Sequence, residues 1–211
     1  MESNISFNEM KQLMEMAKTH ICKIYSNNSK GTGFFCNIQF GLDKYKFLMT
    51  NHHLFNETHI QLGKNIKFSV DNDKITYNIS IDNKRKIYSN SDYDVTFIEI
   101  KEDDRIDEKS FFDFDQGIFQ ENANLMFKDR QIIFLYYEKG EEMKFSNGII
   151  KSIDDNGIIS HTCDSTFGST GGPLINKENF KVIGIHCGKG KIFKKGTFLK
   201  GPIEKFIQGN K

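Results

Sequence analysis

The sequence lacks an excess of charge of either sign, since 29 Lys and Arg residues face 28 Asp and Glu residues among 211 residues, for a formal net charge of +1. These charges are spread along the chain and form no basic stripe able to displace the counterions of a nucleic acid. No stretch approaches the ~18 apolar residues of a membrane-spanning helix. We therefore expect neither a nucleic-acid nor a membrane partner, and the length fits one or two domains.

The chain also lacks the marks of export and of a metal centre. Its first residues, MESNISFNEM, have no basic beginning and no apolar centre, so we expect no signal peptide and a cytoplasmic protein. In that reducing compartment the cysteines are expected to be buried thiols, and none has the short paired spacing of zinc ligands. They are Cys22, Cys36, Cys163 and Cys187. Since His20, His59 and His161 are scattered, we expect no metal and no cofactor.

The remaining pattern predicts one helix followed by many strands. From Phe7 to Cys22 apolar residues recur at helical spacing, which predicts an amphipathic N-terminal helix. Short runs rich in Phe, Ile, Tyr and Thr then alternate with Asn, Asp, Gly and Lys, as is typical of strands. The runs are GFFCNIQF, YKFLMT, IQLG, IKFSV, ITYNISI and VTFIEI.

A charged segment at 101–110, KEDDRIDEKS, interrupts this pattern and predicts a linker between two halves. Strand-length runs resume beyond it, and PIEKFIQ predicts a short C-terminal helix with Pro202 near its first turn. The later runs are NLMF, QIIFLYY, FSNGIIKSI, NGIISHTC, GGPLIN, KVIGIHC and KGTFLKG. We expect an all-β fold of two six-stranded antiparallel β-barrels: a helix in 1–24, one barrel in 25–105, and the second barrel with its helix in 106–211.

The glycine-rich segment from Gly168 to Leu174, GSTGGPL, is the most informative stretch of the sequence. Glycines at these offsets allow a tight turn whose backbone N–H groups converge on one point, as the stabilisation of an oxyanion requires. The same pattern also fits a turn with no chemical role. The weight of the interpretation therefore depends on residues elsewhere in the chain.

Two other segments carry groups suited to proton transfer. In FLMTNHHL an apolar strand ends at His53, and in DYDVTFI a carboxylate, Asp94, directly precedes an alternating strand. Taken singly, a histidine at a strand end and an aspartate before a strand are ordinary surface and turn residues. Their order along the chain, imidazole then carboxylate then glycine-rich turn, makes the set more specific than any one of them.

These three segments resemble the chymotrypsin-like, or trypsin-fold, serine protease family, with its T-x-x-H, D-[IV]-A and G-x-S-G-G-P motifs. The likeness runs from about Gly31 to Ile207 and implies an endopeptidase with a polypeptide substrate. It implies that His53 is the general base, that Asp94 orients its ring, and that Thr170 occupies the nucleophile position. The N–H groups of Gly168 and Thr170 would form the oxyanion hole. The neighbouring His52 and Asp92 receive no catalytic role.

A closer resemblance is to the glutamyl endopeptidase branch and related intracellular members. Val182–His186 repeats a V-I-G-I-H strand that follows the nucleophile motif there, and Gly196–Leu199 resembles the pocket-lining strand near the C-terminus. Leu54 and Thr166 stand where secreted animal members carry cysteines. Ser169 stands where zymogen-type members carry the aspartate that pairs with a newly cut N-terminus.

Threonine in place of serine at position 170 leaves two functions open. A threonine hydroxyl can be activated by a histidine, but its methyl group restricts χ1 and crowds the imidazole or the substrate carbonyl. The first hypothesis is an endopeptidase that uses Thr170 with His53 and Asp94. The second is a catalytically impaired pseudoprotease, a peptide-binding or regulatory module that keeps the cleft. The presence of both the base and its orienting carboxylate favours the enzyme.

Two residues give opposite indications about the specificity pocket. Asp164 lies six residues before Thr170, where trypsin-like members carry the acid that pairs with Arg or Lys. His186 and Ser165 resemble the donors that hold Glu, or Gln in related viral proteases, and the complete V-I-G-I-H match favours His186. A buried structural histidine is an equally good interpretation of His186. A substrate is expected to pair as an added strand with the backbone of Cys187, Gly188 and Lys189.

Overall fold

The computed structural model describes residues 6–26, 29–40 and 43–209. Thirteen strands and three helices account for most of this range, with short 3₁₀ turns between the two halves. The helices are α1 Phe7–Thr19, α2 Ala123–Met126 and α3 Lys200–Gly209. The strands before the turns are β1 Ile21–Ser26, β2 Ser29–Phe40, β3 Asp43–Thr50, β4 Asn65–Val70, β5 Ile75–Ser80, β6 Ile87–Asn90 and β7 Val95–Glu99. Those after them are β8 Gln131–Glu138, β9 Glu142–Ile153, β10 Ile158–His161, β11 Pro173–Asn176, β12 Val182–Lys189 and β13 Lys194–Phe198.

The strands form two antiparallel units, which confirms the predicted all-β fold. The second half is a closed six-stranded barrel in the order β10-β13-β12-β11-β8-β9. The first half differs in detail from the predicted six-stranded barrel, because seven strands form one sheet in the order β5-β4-β1-β2-β3-β7-β6. The additional strands are β1 and β6, which the sequence pattern did not indicate.

Local details also differ from the sequence prediction. Helix α1 starts with a capping box between Ser6 and Glu9 but ends at Thr19, because the next residues pair with β2, Ile21 opposite Phe34. The run IQLG at 60–63 is a turn rather than a strand, since Gly63 has a φ of 82° and donates its N–H to the Ile81 carbonyl. The run NLMF forms the short helix α2 instead of a strand.

Three central strands of the first sheet bury both of their faces. Phe35, Leu48 and Ile98 point into one apolar cluster, inside the first half. The adjacent residues on the same strands, Phe34, Phe47 and Phe97, point into a second cluster. This cluster continues through β8 and β12 of the barrel. Because side chains alternate along a strand, a strand between two cores reads as a continuous apolar run. The C-terminal end of β3 therefore lies where the two halves meet.

The connection between the halves is bonded to both of them. After the charged segment, Phe112 donates its N–H to the Phe35 carbonyl on β2, at 3.0 Å. Three residues later Asp115 donates to the Val182 carbonyl on β12, also at 3.0 Å. The segment thus fixes β2 and β12 relative to each other.

The cysteines are unpaired, with Cys22, Cys36 and Cys163 buried and Cys187 half-buried. Burial raises the pKa of the Cys163 thiol to about 12, so this group is an apolar filler at neutral pH. None of the helices in the described ranges is long and apolar enough to cross a membrane.

An ion pair between a buried lysine and a half-exposed aspartate fixes β1 to the turn between β4 and β5. The Lys23 side chain is 3% exposed, and its Nζ lies 2.5 Å from Asp73 Oδ2. Burial alone would raise the pKa of Asp73, but hydrogen bonds from Lys23, Ser69 and Tyr25 outweigh it and hold this pKa at about 2. The folded pKa lies below the ordinary value of 3.8, so the pair stabilises the fold above pH 3.8 and this contribution is lost as pH falls through 2.

We predict that Asp73→Asn lowers the free energy of unfolding by roughly 2 kcal/mol at pH 7, because it leaves the Lys23 cation buried without a counter-charge while screening at the half-exposed carboxylate moderates the loss. Urea denaturation at pH 7 and between pH 4 and pH 2 measures this effect. Asp82→Asn is the matched control, since the Asp82–Lys101 pair is more exposed and its loss costs less. Equal losses in the two variants would contradict the prediction.

Candidate active site

The pairing of β3 with β7 brings His53 next to Asp94. In this antiparallel pair Thr50 lies opposite Thr96, so the turn after β3 and the turn before β7 meet at the same end of the sheet. His53 is three residues beyond Thr50, and Asp94 is two residues before Thr96. The sheet register therefore brings together the two turns that carry the imidazole and the carboxylate.

The contact between the two side chains is bidentate. His53 Nδ1 lies 3.0 Å from Asp94 Oδ1 and 2.9 Å from Oδ2, and the His53 backbone N–H donates to Oδ1 at 3.0 Å. In the neutral ring a carboxylate at Nδ1 selects the tautomer that carries its proton there, and Nε2 is then the nitrogen with a free lone pair. The His53 side chain is 47% exposed, so this nitrogen is accessible to a reactant.

The neighbours of this pair point elsewhere. His52 Nδ1 lies 2.9 Å from Ser89 Oγ, and its Nε2 lies 3.5 Å from Glu57. Asp92 is exposed at the surface of its turn. Of the two histidines in the motif, only His53 faces Asp94.

Asp94 adopts a strained conformation that two residues from other elements support. Its φ of 50° lies in the left-handed region, which costs a non-glycine residue about 1 kcal/mol or more. The buried Asn51 donates its Nδ2 to the Asp94 carbonyl at 2.9 Å, and Thr197 on β13 donates its hydroxyl to the Tyr93 carbonyl at 2.6 Å. Sequence reasoning missed both supporting residues, which lie 43 and 104 positions from their acceptors.

The glycine-rich segment forms a tight turn against the barrel and the first sheet. Gly168 and Gly171 both have a φ of 88°. A Cβ atom on Gly171 would lie 2.0 Å from the Thr32 carbonyl oxygen and 2.5 Å from Thr50 Oγ1, so only glycine permits this approach. The turn therefore docks at the end of β3, where the His53 turn begins.

The two hydroxyls of the turn have different surroundings. Ser169 is buried, and its Oγ donates to the Thr166 carbonyl at 2.6 Å, which directs this hydroxyl into the loop. Thr170 is half-buried, and its carbonyl accepts from the Thr32 N–H at 2.8 Å. Within the described residues, no hydrogen bond joins the Thr170 hydroxyl to His53. Apo contacts of this kind are often long and shorten when substrate binds.

Two backbone donors of the turn have no acceptor. Among the described residues, the N–H groups of Gly168 and Thr170 make no hydrogen bond, although Ser169, Gly171 and Gly172 in the same turn all donate to carbonyls. Unpaired N–H groups this close to a buried turn are uncommon in folded proteins. They give the turn two donors for an external oxygen.

The predicted pocket residues lie in two segments, one just before the glycine-rich turn and one on β12. Asp164 is exposed, and its backbone N–H is held by Ser146 Oγ at 2.8 Å, while Ser165 is half-buried. On β12, Gly188 has a φ of 144° and open space beside it, and Lys189 is exposed.

The Cys187 side chain turns towards the Asp94 support rather than outwards. Its Sγ lies 3.4 Å from Asn51 Nδ2 and 3.3 Å from Thr197 Oγ1. Burial raises the pKa of this thiol to about 12, despite the hydrogen bonds to Thr197 and Asn51 that lower it. Only the backbone of Cys187 remains available to a ligand.

His186 forms a buried pair with His161, for which no partner was expected from the sequence. His186 Nδ1 lies 3.0 Å from His161 Nε2, and the Phe134 ring packs 4.7 Å from the His186 ring. Burial lowers the pKa of His161 to about 4 and that of His186 to about 3, so both rings are neutral at pH 7. The sequence held no signal for this pair, because the two residues lie 25 positions apart on different strands.

Within the described part of the chain, no cluster of three or more His, Cys, Asp or Glu side chains could hold a metal ion.

Comparison with known proteins identifies the family. The family model of the trypsin-like peptidase domain matches residues 31–185, which is most of the chain. The chain belongs to this family. It is therefore a serine-protease-like peptide hydrolase with the chymotrypsin-like double-barrel fold.

Solved structures share this fold at low sequence identity. A serine endoprotease from Yersinia pestis superposes with a TM-score of 0.67 at 14% identity, covering 100% of this chain and 70% of its own. The Rv3671c protease of M. tuberculosis in an inactive form gives a TM-score of 0.64 at 17% identity, covering 93% of this chain and 91% of its own. A search of curated proteins gives no significant match.

The buried histidine pair of this trypsin-like domain predicts acid sensitivity. The folded pKa values, about 4 and about 3, lie below the ordinary value of 6.5, so only the unfolded chain binds protons at these rings between pH 6.5 and pH 4. The stabilisation is complete above pH 6.5 and falls as the pH drops towards 4. We expect His161→Phe to reduce the slope of unfolding free energy against pH by about 1.4 kcal/mol per pH unit. Urea denaturation from pH 7 to pH 4.5 measures it, and an unchanged slope would contradict it.

Proposed function

We propose that the protein is an endopeptidase in which Thr170 is the nucleophile, His53 the general base and Asp94 the group that orients His53. The observation that supports this most directly is the bidentate His53–Asp94 contact beside a turn with two free N–H donors. An imidazole with Nδ1 bound to a carboxylate keeps Nε2 free to accept a proton. Donors without partners suit a negative charge that exists only during reaction.

The reaction proceeds by acyl transfer. The Thr170 hydroxyl attacks the scissile carbonyl carbon while its proton passes to His53 Nε2, and the carbonyl oxygen becomes an oxyanion bound by the N–H groups of Gly168 and Thr170. His53 then gives the proton to the leaving amine, and an ester to Thr170 remains. A water molecule, deprotonated by His53, then attacks the ester carbon. The bond to Thr170 Oγ1 breaks, and His53 returns the proton to that oxygen, which restores the hydroxyl.

The methyl group of Thr170 sets the expected rate. A β-branched side chain has few χ1 rotamers, so the rotamer that aims the hydroxyl at the substrate also fixes where the methyl group lies. A misplacement of about 1 Å costs on the order of 10²-fold in rate. We therefore propose a slow protease rather than a fast one.

A second candidate function is a peptide-binding pseudoprotease. One observation favours it: in the described residues the Thr170 hydroxyl makes no hydrogen bond to His53. On this alternative the cleft binds a polypeptide and regulates another process, and hydrolysis is incidental.

Substitutions at position 170 distinguish the two functions. We expect Thr170→Val to abolish peptide hydrolysis, since it removes the hydroxyl and keeps the shape, and Thr170→Ser to raise kcat by about 10-fold or more, since it removes the methyl group. Turnover of a peptide library followed by mass spectrometry, with fluorophosphonate labelling of the same samples, measures both effects.

Ser169→Ala is the control, because the Ser169 hydroxyl is bound to the Thr166 carbonyl and it should leave the rate near that of the unsubstituted protein. If Ser169→Ala lost activity while Thr170→Val kept it, the nucleophile would be Ser169 and our assignment would be wrong. Turnover that appears only in Thr170→Ser would support the pseudoprotease.

We further propose that the substrate residue preceding the cleaved bond is glutamine. In the tautomer whose Nδ1 accepts from His161 Nε2, the neutral imidazole of His186 can donate a hydrogen bond from Nε2 but brings no positive charge. Desolvating a carboxylate beside it would be costly, whereas an amide needs only the hydrogen bond. Asp164, the competing candidate, is exposed to water, which weakens any ion pair with a substrate cation.

Matched peptides test this preference. We expect cleavage after Gln to exceed cleavage after Glu at pH 7.5, and the ratio to fall as pH drops, because a protonated peptide Glu resembles Gln. Asp164→Asn should leave the preference unchanged, whereas His186→Leu should remove it. Preferred cleavage after Arg or Lys that Asp164→Asn abolishes would instead assign specificity to Asp164.

We also propose how a polypeptide binds and where in the cell the protein acts. A polypeptide substrate would add as a strand to the backbone of Cys187, Gly188 and Lys189. The unpaired thiols are compatible with the cytoplasm, which we propose as the location.

A further inference from the structure

Thr32 on β2 occupies a junction that the proposed chemistry has not used. It is fully buried, and every polar group it carries is bonded. Its hydroxyl donates to the Gly168 carbonyl at 2.9 Å and accepts from the Tyr137 N–H on β8 at 3.0 Å. Its N–H donates to the Thr170 carbonyl at 2.8 Å, and its carbonyl accepts from Thr50 Oγ1 at 2.8 Å.

These bonds hold two peptide planes of the glycine-rich turn at 168–172, which carries the proposed nucleophile Thr170. Because a trans peptide is planar, fixing its carbonyl also fixes the N–H of the following residue. Through its hydroxyl Thr32 holds the peptide between Gly168 and Ser169, and through its backbone it holds the peptide between Thr170 and Gly171.

The other two planes of the turn are held from inside the barrel. The Lys139 N–H donates to the Phe167 carbonyl at 2.6 Å, and the Gly172 N–H donates to the Ser169 carbonyl at 3.3 Å. These two planes carry the free N–H groups of Gly168 and Thr170. Along the chain, each peptide plane that carries a free N–H is followed by a plane whose carbonyl bonds to Thr32. Rotation about the backbone dihedrals of Gly168 or Thr170 would therefore break a hydrogen bond to Thr32.

The role of the Thr32 hydroxyl proton follows from its neighbours. One lone pair accepts the Tyr137 N–H, and the only other group at hydrogen-bond distance in the described chain is a carbonyl, which accepts. The proton therefore points at the Gly168 carbonyl. A valine at position 32 would fill the same space but leave a buried N–H and a buried carbonyl without partners.

We propose that Thr32 is a positioning residue that aims the oxyanion-hole donors, so that a hydroxyl of the first sheet sets the geometry of a turn in the second barrel. This inference rests on the proposed function only for its kinetic consequence. It assigns Thr32 no contact with the substrate. It identifies the side chain through which the sheet that carries His53 and Asp94 is kept in register with the turn that carries Thr170.

The test compares Thr32→Val with Thr32→Ser in the full chain, each alone and combined with Thr170→Ser. We expect Thr32→Val to lower kcat by on the order of 10²-fold with KM changed less than threefold, since misaimed donors weaken the transition state and not substrate binding. Thr32→Ser keeps the hydroxyl and should retain kcat within about threefold. Equal losses in the two variants, or a Thr32→Val variant with unchanged kcat, would overturn the proposal.

A second readout does not depend on turnover. In ¹⁵N-labelled protein we expect Thr32→Val to shift the Gly168 and Thr170 amide resonances, while Thr96→Val, which removes a buried hydroxyl bonded to the Phe55 carbonyl, leaves them unchanged. If Thr32→Val does not fold, Thr32→Cys is used instead. Because a thiol is a weak hydrogen-bond donor and acceptor, this variant should still shift the Gly168 and Thr170 amide resonances, although by less than a complete loss of the hydroxyl would. Unmoved Gly168 and Thr170 resonances would overturn the proposal. Absence of turnover in all variants, with these shifts present, would overturn the proposed function but not the role of Thr32.

Discussion

The candidate site depends on one close backbone approach between the two halves of the molecule. His53 and Asp94 come from the seven-stranded sheet, whereas the turn with Thr170 comes from the closed barrel. The two parts meet where Gly171 lies against the Thr32 carbonyl, at a separation that leaves no room for a Cβ atom. Every proposed catalytic distance therefore depends on how β2 and β3 dock on the barrel, and the core shared by Phe34, Phe47 and β8 is what sets that docking.

The parts of the site that the sequence predicted are those encoded by local segments. His53, Asp94 and the turn at 168–172 each stand in a short motif, and their common order along the chain linked them. The supporting roles of Asn51, Thr32 and His161 were not predicted, because each of these side chains bonds to a partner 25 to 136 positions away. Such contacts depend on strand register and barrel closure, and a single sequence does not reveal either of them.

The same distinction between local and distant contacts explains the errors in the predicted fold. Ile21 and Cys22 continue the apolar periodicity of α1, so helix and strand cannot be separated there without knowing that this segment pairs with β2. Strand β6 is short and half-buried at the edge of the sheet, and it has no strong alternation. The run NLMF was misassigned because four apolar and polar residues fit a short helix as well as a strand.

Several unfavourable local features lie next to the proposed site. Three buried side-chain atoms in the described residues lack a partner, and two of them, Asn51 Oδ1 and His161 Nδ1, belong to residues that support Asp94 and His186. Asp94 itself holds a left-handed backbone. Local rules are usually broken where function requires it, since each break costs stability that the rest of the fold must offset.

This cost bears on the choice between the enzyme and the binding module. A cleft that only binds a peptide strand needs the backbone of β12 and a shaped pocket, and neither requires a strained carboxylate behind an imidazole. Nor does strand binding need the free N–H groups of Gly168 and Thr170, which a binding protein could pair at a gain in stability. The strain at Asp94 and the unpaired donors are useful together only if negative charge develops at the turn while a proton moves to His53. Asp94 and the free N–H donors therefore favour hydrolysis as the function, and we propose that Thr170 limits its rate rather than abolishing it.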